Sequence, residues 1–76
     1  MYAASIDGKE VSLVIAIDEL RLLNNALNEI ANGVSISDAE FEARLGASRG
    51  EAKALLASVH SVLCAAEEMA PPRRGR

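Results

Sequence analysis

The apolar positions of the chain change period once, near residue 18. Before it, Val11, Leu13, Ile15 and Ile17 alternate with Glu10, Ser12, Val14 and Ala16. A period of two predicts a strand with one apolar face. Asp7-Gly8 precedes this run, and both residues tolerate positive φ, so the pair predicts a tight hairpin turn. The shorter arm runs from Tyr2 to Ile6. A two-stranded ribbon is barely stable unless it packs on something. The apolar side of the following helix is its expected cover. Val14 and Ala16 make the second face partly apolar, and an exposed edge of that kind invites pairing with another copy. A homodimer joined through the ribbon or through helix faces is therefore expected.

From Asp18 to Gly33 the period becomes helical. At about 100° per residue, Leu20, Leu23, Ala26, Leu27, Ile30 and Ala31 fall on one side, with Leu22 at the margin. Arg21, Asn24, Asn25, Asn28, Glu29 and Asn32 fall on the other. Asp18 is the expected N-cap, Glu19 suits the positive end of the dipole, and Gly33 suits a left-handed stop. The spacing predicts a helix over 19–32. Its asparagines are poor helix formers, because their amides compete for backbone hydrogen bonds. A solvated face accounts for them. So does a neutral donor and acceptor surface that meets a partner.

Two further helices follow. Ser37-Asp38-Ala39-Glu40 has the capping-box pattern, and Ile36 with Phe41 has the spacing of a hydrophobic staple. These predict a helix over 38–45, with Phe41 and Leu45 on one side, closed by Gly46. Ser48-Arg49-Gly50-Glu51 is a second capping box. Ala52, Leu55, Leu56, Val59, Val62, Leu63 and Ala66 then keep helical spacing, which predicts a helix over 49–70 that Pro71-Pro72 stop. The fold class expected is α+β: an N-terminal β-hairpin packed on a three-helix unit. Residues 1–70 are expected to form one small domain, and 71–76 a disordered basic tail.

Composition narrows the chemistry. The chain has 76 residues, half of them apolar, and its only aromatic residues are Tyr2 and Phe41. The core is therefore aliphatic. Net charge is −3, but three of the eight basic residues are Arg73, Arg74 and Arg76. Setting them aside leaves five basic against eleven acidic side chains, a body that repels phosphate at long range. Cys64 is the sole cysteine, so no disulfide framework exists within one chain, and a reducing cytoplasm is the natural compartment. No signal peptide is expected, because Asp7, Lys9 and Glu10 interrupt the N-terminus. The apolar run Leu13 to Ile17 is far short of the ~20 residues of a membrane helix. His60 and Cys64 share a helical face four residues apart. No third ligand or oxyanion donor accompanies them, so neither a metal site nor a nucleophile is expected. No Gly-rich phosphate loop is present, and no cofactor is expected.

The stretch ARLGASRGEA resembles a helix-turn-helix, with Gly46 in the turn and Ala52 and Leu55 at packing positions. That resemblance implies a second helix whose first residues, Arg49 and Lys53 among them, enter the major groove. Glu42 departs from it, standing where a small apolar residue usually packs between the helices. The acidic first helix also faces phosphate badly. LLNNALNEIANG followed by ISDAEFEARLGASRGEAKALL is similar to a group of small, mostly uncharacterised bacterial proteins with an LNNALNE…NG…EF..R.G.SR.EA..LL pattern. The similarity covers Leu22 to Leu56 and implies bacterial origin and a shared fold.

The function expected is binding of another protein, without catalysis. The residues expected to carry it are Asn24, Asn25, Asn28, Glu29 and Asn32. An immunity-type inhibitor that plugs a toxin is one specific version. The alternative is a DNA-binding regulator using Arg49 and Lys53, although nucleic acid is disfavoured on charge.

Overall fold

The structure, a computed structural model, describes residues 1–69; the expected helix end at Ala70 and the basic tail 71–76 lie outside them. Strands β1 (Tyr2–Asp7) and β2 (Glu10–Val14) form an antiparallel ribbon. Helix α1 (Ile17–Asn28), a π-helical turn (Glu29–Gly33), α2 (Asp38–Leu45) and α3 (Arg49–Met69) follow. The class is α+β, a hairpin followed by three helices.

The ribbon turns at Gly8-Lys9, one residue later than expected, because Asp7 still pairs with Glu10. Gly8 has φ 58° and Lys9 does not turn positive, the φ pattern of a type II′ turn. A bulge between Ala3 and Ser5 inserts Ala4 into β1. Past the bulge, Ile6 lies opposite Val11, and before it Ala3 lies opposite Leu13. Opposed residues share a face, as do residues two apart in β2. The bulge thus collects Ala3, Ile6, Val11 and Leu13 on one apolar side. β2 stops at Val14, so Ile15 and Ile17 leave the strand pattern, and Ile17 opens α1.

The expected cover for this ribbon is not in place. Every residue of both strands is exposed, and among the described residues the strands lie against each other and against no helix.

α1 also starts differently from expectation. Leu20 N–H donates to Ala16 O at 2.9 Å, which makes Ala16 the N-cap rather than Asp18. Alanine has no side-chain acceptor, but Glu19 supplies the return half of a capping box by accepting from Ala16 N–H at 3.1 Å. Asp18 instead accepts from Arg21 at 2.9 Å. At the other end Gly33 does not adopt positive φ. The helix widens into the π turn, and Val34 leaves it extended.

Signals nearer the second and third helices hold better. Ser37 Oγ accepts from Glu40 N–H at 3.1 Å. Glu40 does not complete the box, because its carboxylate turns to Arg44 at 2.6 Å. Ile36 packs on Phe41 as the staple requires, beside Ala31 and Ala52. Phe41 has no exposed surface, whereas Leu45, expected beside it, is 45% exposed. Gly46 ends α2 at φ 73° and donates to Glu42 O. The Ser48–Glu51 box is complete in both directions, at 3.1 and 2.8 Å.

α3 returns antiparallel along α1. Arg21 meets Glu67 at 2.7 Å at one end, and Ala31 meets Ala52 beneath Phe41 at the other. The buried and half-buried residues along this contact include Leu20, Asn24 and Leu27 on α1 with Ala31 in the π turn, and Ala52, Leu56, Val59 and Leu63 on α3. Both series step by four and three, the spacing of a coiled-coil seam. Among the described residues no helix is long and apolar enough to cross a membrane.

Candidate protein-binding surface

The seam between α1 and α3 corrects the sequence expectation about which face of α1 is buried. The centre of the apolar arc lies near Leu23 and Leu27, but the buried line is turned roughly 60° toward the asparagines, taking ~100° per residue. Two consequences follow. Asn24 enters the seam, where its Oδ1 is buried and has no hydrogen-bond partner. Leu23 leaves the seam and is 47% exposed. Asn24 is therefore not a side chain available on an outer face.

The other four residues of the expected site remain exposed. Asn32 Nδ2 donates to Asn28 Oδ1 at 2.9 Å, one turn apart. That bond ties the stripe together and spends one acceptor and one donor. Asn25 has no side-chain bond among the described residues, and Glu29 lies over Gly33, where an added Cβ would stand 3.3 Å from its Oε1. The structure also brings Asn24 and Asn28 next to α3. With Lys53, Leu56, Ala57 and His60 they line an open groove of about 440 Å³.

Of the two residues expected to meet DNA, Arg49 is committed elsewhere. Its guanidinium donates to Val34 O at 3.2 Å and Ile36 O at 2.8 Å, and lies 4.5 Å from the centre of the Phe41 ring. Asp38 stands beside it at 3.5 Å. A planar fork that bridges two carbonyls while stacking on an aromatic face is a role lysine does not fill. Arg49 thereby ties the 34–36 link to the head of α3. Lys53 is exposed, but the groove it shares with Gly50 is also lined by Asp38 and Glu42. A phosphate approaching there meets two carboxylates.

His60 Nε2 and Cys64 Sγ are 3.5 Å apart on the exposed side of α3. Among the described residues no three His, Cys, Asp or Glu side chains are grouped to hold a metal.

The surface that sequence reasoning missed is apolar. Leu23 and Ala26 on α1, with Ile30 in the π turn, face Leu55 and Val59 on α3 across an open groove of about 330 Å³, which Leu27 also lines. Val62 continues the row and is 58% exposed, and Leu55 is 56% exposed. These positions also repeat by three and four. Each long helix thus carries two apolar seams side by side, one closed within the chain and one open. The signal was present in the sequence: an apolar arc wider than one helix–helix contact fills. Arg21 lies at the far side, held between Asp18 and Glu67, and these carboxylates, Glu67 first, raise its pKa further.

Comparison with family models, with curated proteins and with solved structures finds no match for this chain.

Proposed function

We propose that this is a non-catalytic domain that binds another polypeptide. The observation that carries this reading is the open second seam, Leu23, Ala26 and Ile30 against Leu55 and Val59. Exposed apolar patches of this kind on a small domain mark interaction sites, because leaving them in water is costly. The exposed amides Asn25, Asn28 and Asn32, with Glu29, add a hydrogen-bonding face on the opposite flank of α1. With the acidic body, they suit a basic or neutral protein partner. An immunity-type inhibitor of a toxin is the specific version we favour among foreign partners; a second copy of the chain is the other partner in view. A lone, exposed Cys64 suits a reducing compartment. Together with the resemblance over Leu22 to Leu56, it supports reading the compartment as a bacterial cytoplasm. The DNA-binding alternative is weakened by the bonds that hold Arg49, and it keeps Lys53 as its exposed cation near the turn.

The test is capture from host lysate by the tagged full chain. The wild type is expected to retain a partner that Leu23→Asp loses entirely and that Asn25→Ala with Asn28→Ala holds less well. Identical captures by all three proteins would remove both surfaces from consideration. Retention on DNA at low salt that falls on Lys53→Ala would instead favour the regulator.

A further inference from the structure

The described residues leave two apolar surfaces open, and they match. On the ribbon, Ile6, Val11 and Leu13 share one face and are 73%, 53% and 54% exposed. On the helices, Leu23, Leu55 and Val62 of the open seam are 47%, 56% and 58% exposed. Neither surface carries a charge. The ribbon face is roughly 10 Å long, from Ala3 to Ile6 at ~3.3 Å per residue. The seam from Leu23 to Ile30 is also roughly 10 Å long at ~1.5 Å per residue. Within one chain they do not meet: only Ile15 and Ala16 separate β2 from α1, and the Met1 ammonium on Glu19 at 3.1 Å fixes the ribbon's base at the start of that helix.

We infer that the protein is a reciprocal homodimer in which the ribbon of each copy lies in the α1–α3 groove of the other. This rests on the seam being a protein-binding surface, as proposed above, and names its occupant. A foreign partner seated in the groove leaves the ribbon bare, and a ribbon of two strands does not persist unsupported. Exchange between two copies covers both surfaces at once and closes on itself, as a two-fold contact does. The area is sufficient. With about half of each of the six side chains open, each chain contributes on the order of 600 Å², so the pair removes roughly 1,200 Å², the lower bound of a stable interface. Flanking Ala3, Tyr2 and Ala26 add to it.

Light scattering on the full chain at high micromolar concentration is expected to give twice the 8.0 kDa chain mass. Leu13→Asp on the ribbon and Leu55→Asp in the groove are each expected to give monomers that keep their helical circular dichroism. Val62→Gln replaces Leu55→Asp if the latter loses helix. Mixing is the decisive arm. Tagged Leu13→Asp keeps an intact groove and is expected to capture untagged Leu55→Asp, which keeps an intact ribbon. It is not expected to capture untagged Leu13→Asp. A dimer that survives Leu13→Asp pairs through helices alone, and one that survives Leu55→Asp pairs ribbon to ribbon; either overturns the exchange. So does failure of the mixed pair to associate under conditions where wild type and Leu13→Asp, which likewise share one intact contact, do associate. A monomeric wild type also overturns it; if that monomer still captures a lysate protein through Leu23, the binding reading stands and the self-partner is gone.

Discussion

The corner around Phe41 and the N-terminal ribbon are built from similar amounts of apolar side chain and end up in opposite states. At the corner, Ile36, Phe41, Ala31 and Ala52 close on one another, and Arg49 is laid over the ring with its donors on two backbone carbonyls. The large apolar side chains left open beside it are the flanks of Leu45 and Val34. In the ribbon, the bulge sorts Ala3, Ile6, Val11 and Leu13 to one side, and no element among the described residues covers them. The corner is finished by contacts within about 20 residues of chain. The ribbon and the outer seam are finished only by something added. A domain of this size buries a modest fraction of its surface, and this one places it at the corner and along the closed seam, where Leu20 and Leu63 are also buried.

The sharpest way to break the contrast is to open the closed end. Phe41→Ala removes the one large side chain, among the described residues, with no exposed surface. Such a truncation costs about 3–5 kcal/mol, comparable with the entire stability of a domain this small. The expected result is a chain largely unfolded at 25 °C in urea titration. Leu13→Ala is the matching change at the open end. In a monomer it is expected to shift stability by no more than about 0.5 kcal/mol. In the exchanged dimer it costs more, and the cost depends on protein concentration. Measuring both variants at two concentrations therefore separates an idle ribbon from a buried one.

Arg49 tests whether the corner is structural or a reader of nucleic acid. Arg49→Lys keeps the charge but loses the fork that spans Val34 O and Ile36 O. Hydrogen bonds to a charged donor are worth about 1.5–3 kcal/mol, and the part-exposed side chain places the expected loss at the lower end. If stability is unchanged while retention on DNA falls, the corner reading is wrong and the alternative function gains.

Asn24 lies where the two halves of the comparison meet, in the closed seam but opposite the open one. Its buried Oδ1 lacks a partner, and an unsatisfied buried acceptor costs about 1–3 kcal/mol. Leucine is the residue that a four-three seam prefers there. Asn24→Leu is therefore expected to raise the thermal midpoint by several degrees, in proportion to a gain of about 1 kcal/mol. A loss of stability would mean that Oδ1 finds a donor after all, and Lys53 and His60 line the same groove.

How far the sequence could be read follows the range of each interaction. The Ser48–Glu51 box and the Ile36–Phe41 staple lie within five residues of chain, and both are in place. The α2 boundaries, 38–45, agree for the same reason. Asp18 failed as a cap because Arg21 and Glu19 offered competing local partners, which a pattern cannot rank. The rotation of α1 was not legible, because an apolar arc that wide accommodates two seams and only α3 decides which is closed. Asn24 was assigned to the outer face for that reason. Arg49 is a candidate base contact only under the DNA-binding alternative, and its structural role is not legible because the carbonyls it binds lie 13 and 15 residues away. The ribbon's position depends on contacts more distant still.

The smallest expected effect concerns acid, and it again divides the two ends. Glu51 accepts from the Ser48 backbone N–H, with the Ser48 hydroxyl also close, and these hold its carboxyl below the ordinary 4.5. Glu19 is lowered too, first by the Ala16 N–H and then by the Met1 ammonium. A carboxyl whose folded pKa is depressed releases its proton more readily folded than unfolded. Its contribution is complete above the unfolded value and is lost as pH falls through the folded one. Stability is therefore expected to be flat above pH 4.5 in respect of these two groups and to decline below it. Glu51→Gln should flatten the decline by removing the helix-start term at the closed end. Glu19→Gln should do the same while loosening the base of the ribbon. Urea midpoints from pH 6 down to pH 3 measure both. If the ribbon is held in a partner's groove, Glu19→Gln should also weaken the dimer, whereas Glu51→Gln should leave association unchanged at neutral pH.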